Sequence, residues 1–224
     1  MGIFDGFLSH LLAGAWITIQ LALCAVLLGL LLGLLGAIGE ASRVSAIRRF
    51  TITCISGIRG LPELVVIFFV YFGGTLLLSK LLGHYTNVSS FAAGVLALAL
   101  LFGAYASQVF RGAFLAISSG QIEAGRALGL NRQQIFFHIQ LPQAWRYALP
   151  GLTNLWLVLL KDTALVSLIG LSDLMNEAQV ASSTTHRPFT FYITAAVLYL
   201  LMTSISQLVL HKVTQKANQH VVLL

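Results

Sequence analysis

Charge is what this sequence lacks most. Only 9% of its 224 residues are Asp, Glu, Lys or Arg, against roughly 25% in an average soluble chain. Too few charges exist to solvate a globular surface, which excludes a soluble enzyme and a soluble nucleic-acid-binding domain. Nucleic acid is therefore not expected as a partner, even though thirteen basic and seven acidic residues leave a net charge of +6. Cysteine is almost absent as well. Cys24 and Cys54 have no paired spacing and no neighbouring ligand cluster, so a disulfide scaffold and a thiolate metal site are both excluded. They read as buried thiols acting as small apolar side chains. None of the four lysines follows a glycine, so the chain has no Gly-Lys-Ser/Thr phosphate loop, and no His-Glu-x-x-His helix is present. No cofactor or metal site is expected within it. No repeat, low-complexity tract or linker divides the sequence, which reads as one domain over residues 1–224.

What is present is hydrocarbon: 58% of the residues are apolar. A membrane-spanning helix needs about 20 mainly apolar residues, because the bilayer core is ~30 Å thick and each residue rises 1.5 Å. Gly6 to Gly39 contains no charge at all. Phe4, Phe7, Leu8, Leu11 and Leu12 recur at helical spacing and predict a short interfacial helix, followed by a first span over about 13–39. Its length, and the lack of Lys or Arg before Arg43, argue against a cleaved signal peptide. Further spans are expected at about 51–79, 90–110, 147–171 and 189–210, the fourth carrying Lys161 and Asp162 in its middle. The fold class is all-α, a polytopic membrane protein with five transmembrane helices.

The basic residues orient it. Arg43, Arg48 and Arg49 follow the first span, Arg111, Arg126, Arg132 and Arg146 lie between the third and fourth, and Lys212 and Lys216 follow the fifth. Five spans put all nine on one side, and the other side has only Lys80 and Arg187. Segments kept in the cytoplasm carry excess Lys and Arg, so the N-terminus is expected in the periplasm and the C-terminus in the cytoplasm. Gly29 and Gly33 form a small-xxx-small element on the first span, suited to close helix packing within the chain.

The segment 118–142 on the basic side is the most informative. Gln121 to Leu128 favours a helix, with Glu123 expected in its first turn. Gly129 is placed to end it, and Asn131 to cap a second helix that Leu141-Pro142 would stop. Composition and capping alone leave an ordinary connection and a helix offered to a cytosolic partner about equally supported. The motif decides between them. Glu123-Ala124-Gly125, three residues, Gly129, nine residues, then Ile139-x-Leu141-Pro142 resembles the loop signature of ABC-importer permeases, with Gly125 in place of their second Ala. The resemblance covers nearly the whole chain. Gly14-Ala15-Trp16-Ile17-Thr18, Arg59-Gly60-Leu61-Pro62-Glu63, Tyr105-Ala106-Ser107-Gln108 and Lys161-Asp162-Thr163-Ala164-Leu165 are similar to elements of the polar amino acid branch, histidine/arginine type.

That resemblance implies the type I importer permease fold in the bacterial inner membrane, a non-catalytic subunit with no cofactor of its own. It implies a cytosolic ABC ATPase dimer that binds ATP and Mg, a second permease subunit with a heterodimer favoured over a homodimer, and a periplasmic amino-acid-binding protein. Glu123, Ala124, Gly125, Gly129, Ile139, Leu141 and Pro142 would belong to the ATPase-coupling loop. The cargo implied is a polar, basic amino acid, arginine foremost, with histidine, lysine, ornithine or glutamine as alternatives. A stand-alone channel or secondary transporter is the competing class, for which no inverted repeat is seen.

Charges at mid-span cost about 2.5–3.5 kcal/mol each on insertion scales and therefore face a cavity or a partner. Lys161 and Asp162 point ~100° apart on a helix. One anchors structure while the other faces the path, and a cationic cargo favours Asp162 there. Lys161 then meets a backbone group, a neighbouring acid or the cargo's carboxylate. Glu63, after Pro62, either pairs with Arg59 at i, i+4 or supplies a second carboxylate to the path.

Overall fold

The computed structural model describes residues 6–218, and among them every regular element is a helix. In chain order these are α1 (Phe7–Glu40), α2 (Ser45–Arg59), α3 (Glu63–Leu82), α4 (Ser90–Leu115), α5 (Ser119–Ala127), α6 (Arg132–Ile169), α7 (Leu174–Thr185) and α8 (Pro188–Asn218). Helices α1, α3, α4, α6 and α8 are long and apolar enough to cross a membrane. Helices α1, α4 and α8 run parallel and α6 antiparallel to them, which gathers the C-terminal ends of the three and the start of α6 at one end of the bundle, here called the basic end.

Helix α4 is the centre, and its closest neighbour is α1. The two backbones approach each other through glycine. A Cβ added at Gly29 would stand 2.8 Å from Phe102 Cδ1 and 3.2 Å from the Ala99 carbonyl. One at Gly33 would meet Ala106 Cβ at 2.8 Å, and one at Gly103 would meet Leu32 Cβ at 2.9 Å. Lipid tails are as apolar as leucine, so close van der Waals contact between small residues holds such a pair together. The small-xxx-small element thus packs within the chain.

Several expected boundaries move. Phe7 to Leu12 form no separate interfacial helix; nothing there breaks the backbone, Leu11 is fully buried and Phe7 packs edge-on against Phe191, so α1 is continuous from Phe7. Phe4 lies outside the described residues. The expected span 51–79 is two helices. Helix α2 ends at Arg59, Gly60 to Pro62 interrupt the hydrogen-bonding, and α3 starts afresh at Glu63. Pro62 supplies no N–H and biases Leu61 away from helix. Before that break α2 runs back along α1, with Thr51 against Gly39 and Ile55 against Gly36.

Pro142 does the opposite of what was expected. It does not stop the helix, because Phe136 to Gln140 widen into a π-helical turn just before it. Such a turn takes up the donor the ring lacks and moves the carbonyl it would strike. As a result α6 begins at Arg132, well ahead of the expected 147, and ends in a 3-10 stretch closed by Gly170 at φ 82°. Cys24 and Cys54 are both exposed on the isolated chain rather than buried. Each stands on an outward helix face.

Helix α7 closes the end opposite the basic one. Asp173 caps it, accepting from Asn176 N at 3.0 Å, and is itself fully buried against α1, where a Cβ at Gly14 would meet its backbone at 2.9 Å. Thr18 Oγ1 donates to the Gly14 carbonyl at 3.0 Å and accepts from Leu174 N at 3.2 Å. Asp173 Oδ2 has no hydrogen-bond partner among the described residues. Burial pushes this carboxyl up to about 7, with Glu177 adding to the rise and the backbone N–H groups of Asn176 and Met175 opposing it.

Candidate functional site

Two of the intramembrane charges meet. Glu63 opens α3 directly after the Pro62 break, and Asp162 closes the regular α-helical part of α6. Both line one cavity of 190 Å³, whose other walls include Tyr105, Phe102, Leu155 and Leu159. No Lys or Arg lines it. Lys161 points elsewhere, into a separate space with Met175, Tyr192 and Tyr199 between α6, α7 and α8. The divergence expected for adjacent helical residues is what separates them.

Arg59 does not pair with Glu63. Pro62 destroys the i, i+4 register on which that pair depended, and the Arg59 guanidinium lies over the Tyr105 ring at 5.3 Å from its centroid. The cavity thus holds two carboxylates, with Lys161 acting on Asp162 from outside its walls and Arg59 stacked on one wall residue. Two like charges at this depth require a counter-charge, and nothing within the cavity's own lining supplies one.

The loop at the basic end is a built hairpin. Helix α5 ends in a Schellman motif: Gly129 adopts φ 79°, its N–H reaches the Arg126 carbonyl at 2.9 Å, and Leu130 N reaches the Gly125 carbonyl at 3.1 Å. Only glycine takes that φ without cost. Asn131 and Gln134 then form a reciprocal capping box at the start of α6, each bond 2.9 Å long. Gly125 is buried where a Cβ would stand 2.8 Å from Ile139 Cδ1 and 3.3 Å from Ile135 Cγ1. That contact locks α5 onto α6.

Glu123 sits in the second turn of α5, not the first, because the helix starts at Ser119. It caps nothing, and it is exposed together with Ala124, Ala127 and Leu128, the last at 81%. Ile139 is half-buried inside the hairpin, whereas Leu141 and Pro142 are exposed on the first turn after the π-helical one. The outward face therefore combines Glu123 and Arg126 with bare apolar side chains. This composition suits a docking surface.

The family described as "Binding-protein-dependent transport system inner membrane component" matches residues 12–218. The chain belongs to that family. It is 51% identical over 209 residues to the arginine ABC transporter permease protein ArtQ of Haemophilus influenzae, covering 93% of this chain and 94% of that one. It is 43% identical over 226 residues to the ArtQ protein of Escherichia coli K12, covering 93% and 95%. A solved structure described as an amino acid ABC transporter crystallised with histidines superposes with a TM-score of 0.85 at 33% identity, covering 95% of this chain and 96% of that chain. The protein is accordingly an inner-membrane permease, a transport component of the ABC type.

One feature of the permease escaped sequence reasoning. Glu40, the last residue of α1, has a side chain only 1% exposed. It accepts from Gln108 Nε2 at 2.6 Å and Ser107 Oγ at 3.3 Å, and pairs with Arg111 Nη1 at 2.9 Å. All three donors stand on the last turns of α4, just before the chain enters α5. The available signal was an acid placed directly after a 34-residue stretch without charge, which reads as a span boundary unless a donor set is sought for it.

Proposed function

We propose that this permease passes a basic amino acid, arginine foremost, inward through the Glu63–Asp162 cavity, driven by ATP hydrolysis in a separate cytosolic ATPase dimer that holds the Mg and the nucleotide. A periplasmic binding protein delivers the cargo, and a second, related permease subunit completes the path. The N-terminus lies in the periplasm and the basic end in the cytoplasm. There the exposed face of α5, with Glu123, Ala124 and Leu128, sits in a groove of the ATPase.

The observation that carries the reading is the cavity wall, two carboxylates and no cation. A guanidinium or ammonium group supplies the missing counter-charge, and Tyr105 offers it an aromatic face. A neutral cargo would leave the Glu63–Asp162 pair with no cation inside the cavity. The names of the most similar relatives point the same way.

The test is uptake of labelled arginine into proteoliposomes containing the permease, its partner permease, ATPase and binding protein. Asp162→Asn and Glu63→Gln should each weaken uptake by about tenfold or more, the loss of one charge-assisted contact being worth about 1.5–3 kcal/mol. Wild-type uptake and affinity in both variants would remove the cationic-cavity reading while leaving the family assignment untouched.

A further inference from the structure

A second and larger space lies on the outside of the bundle. It is an apolar groove of 590 Å³ between α1, α6 and α8, running from Trp145 to Leu160 on α6, beside Ile205 to Val213 on α8, and walled by Leu23 and Leu30 of α1. Fifteen helical rises make it about 22 Å long, more than one leaflet of the ~30 Å hydrocarbon core. It opens outward: Leu23, Leu27 and Leu31 of α1 are 47%, 68% and 55% exposed. They continue its wall into the surface that faces lipid.

Its end at the basic side is charged in one sign. Arg146 leads the lining stripe of α6, since Arg146, Leu149, Thr153, Trp156 and Leu160 follow one another at spacings of three and four. On α8, Ile205 and Val209 are followed by Lys212 and Lys216 at the same spacings. None of these cations has an ion-pair partner among the described residues. The sequence contains no acid between Glu123 and Asp162 or beyond Glu177, so neither helix supplies one near this mouth.

We propose that the groove is a binding site for an anionic phospholipid, its acyl chain lying between α6 and α8 and its phosphate held by Arg146, Lys212 and Lys216. The apolar length takes the chain, and the unpaired cations take the headgroup at the level where a cytoplasmic leaflet presents it. The site is independent of the transported cargo. Nothing in the substrate reading depends on it.

The groove carries its own probe, because Trp145 and Trp156 line it and Trp16, at the other end, is the only further tryptophan. The experiment compares the Trp16→Phe chain with the Trp16→Phe/Trp145→Phe/Trp156→Phe chain in vesicles of phosphatidylcholine containing phosphatidylglycerol. Bromine is placed on the acyl chains of either lipid in turn, and the fluorescence difference between the two chains reports quenching in the groove. Brominated phosphatidylglycerol should quench at lower mole fraction, with a preference of about fivefold for each cation engaged. Combining Arg146→Gln, Lys212→Gln and Lys216→Gln should abolish the preference while leaving quenching by both lipids intact. Equal quenching by the two lipids in the Trp16→Phe chain would overturn the proposal, as would a preference that survives the triple substitution. Loss of all quenching once the partner permease is added would also overturn it, by showing that a protein helix fills the groove.

Discussion

Removing Arg111 should damage this permease more than removing the acid it binds, although Arg111 is the more exposed of the two. The Arg111 side chain is 50% exposed and that of Glu40 only 1%. Arg111→Ala strands a buried carboxylate, and breaking such a pair from one side costs about 3–5 kcal/mol. Gln108 at 2.6 Å and Ser107 at 3.3 Å still donate to the carboxylate, which holds the expected cost near the lower figure, about 3 kcal/mol. Glu40→Gln leaves a guanidinium that turns to water and loses only charge-assisted bonds, about 1–2 kcal/mol. The double variant should cost less than Arg111→Ala alone, because no stranded charge remains. Unfolding of the full chain from mild detergent micelles by added SDS, followed by circular dichroism, measures all three. If Glu40→Gln proved as harmful as Arg111→Ala, the desolvation argument would be wrong and the site would be governed by the acid's shape.

Two further predictions concern packing and pH. Gly33→Ala places a methyl 2.8 Å from Ala106 Cβ and 3.2 Å from the Gly103 carbonyl, neither of which can rotate away, so the same unfolding assay should show a loss of about 1–3 kcal/mol. Gly112→Ala meets nothing within 4 Å and should stabilise by about 0.5–1 kcal/mol; a gain in both variants would refute the close-approach account of the α1–α4 seam. Asp173 is raised from 3.8 to about 7 in the folded chain, so the folded state holds the proton more tightly than the unfolded one. Its contribution is full below about pH 4 and falls away as pH rises through 7, a span worth up to about 4 kcal/mol. Asp173→Asn should flatten that slope and protect α7 better than wild type above pH 7, read by amide exchange at Leu174 to Ala178. A slope unchanged in the variant would move the titration to another group.

Glycine and proline show how far sequence alone can be read. Gly129 and Asn131 announced the loop hairpin correctly because their roles are local: one residue at positive φ, one side chain over the next turn. Pro62 and Pro142 look alike in sequence yet behave oppositely. Gly60 and Leu61 still donate back to Ser56 and Ile58 but end the helix before Pro62, whereas Phe136 to Gln140 widen the backbone before Pro142. The stacking of Phe136 on Phe114, at 6.1 Å between centroids, fixes one side of that widened turn, and no local pattern reports a partner in another helix. Glu63 and Asp162 were legible as costly charges, but their meeting in one cavity depends on the break that also freed Arg59 to find Tyr105. Glu40 was invisible for the same reason, since its donors lie 67 to 71 residues away.

Helix α6 runs unbroken from Arg132, in the exposed hairpin, to Ile169, so the helix onto which α5 is locked, beneath the proposed ATPase, also carries Asp162. From Arg132 to Asp162 that helix is about 45 Å long, and a tilt of only about 5° at the hairpin sweeps the far end through about 4 Å. Pro150, between the hairpin and the carboxylate, leaves one helical hydrogen bond along it unmade. The π-helical turn at Phe136 to Gln140 is its one wide coil, close to the handle, where a small change in winding rotates everything beyond it. Under the proposed coupling, the hairpin's seating, rather than the strength of any single contact in the cavity, would set how far Asp162 travels per stroke.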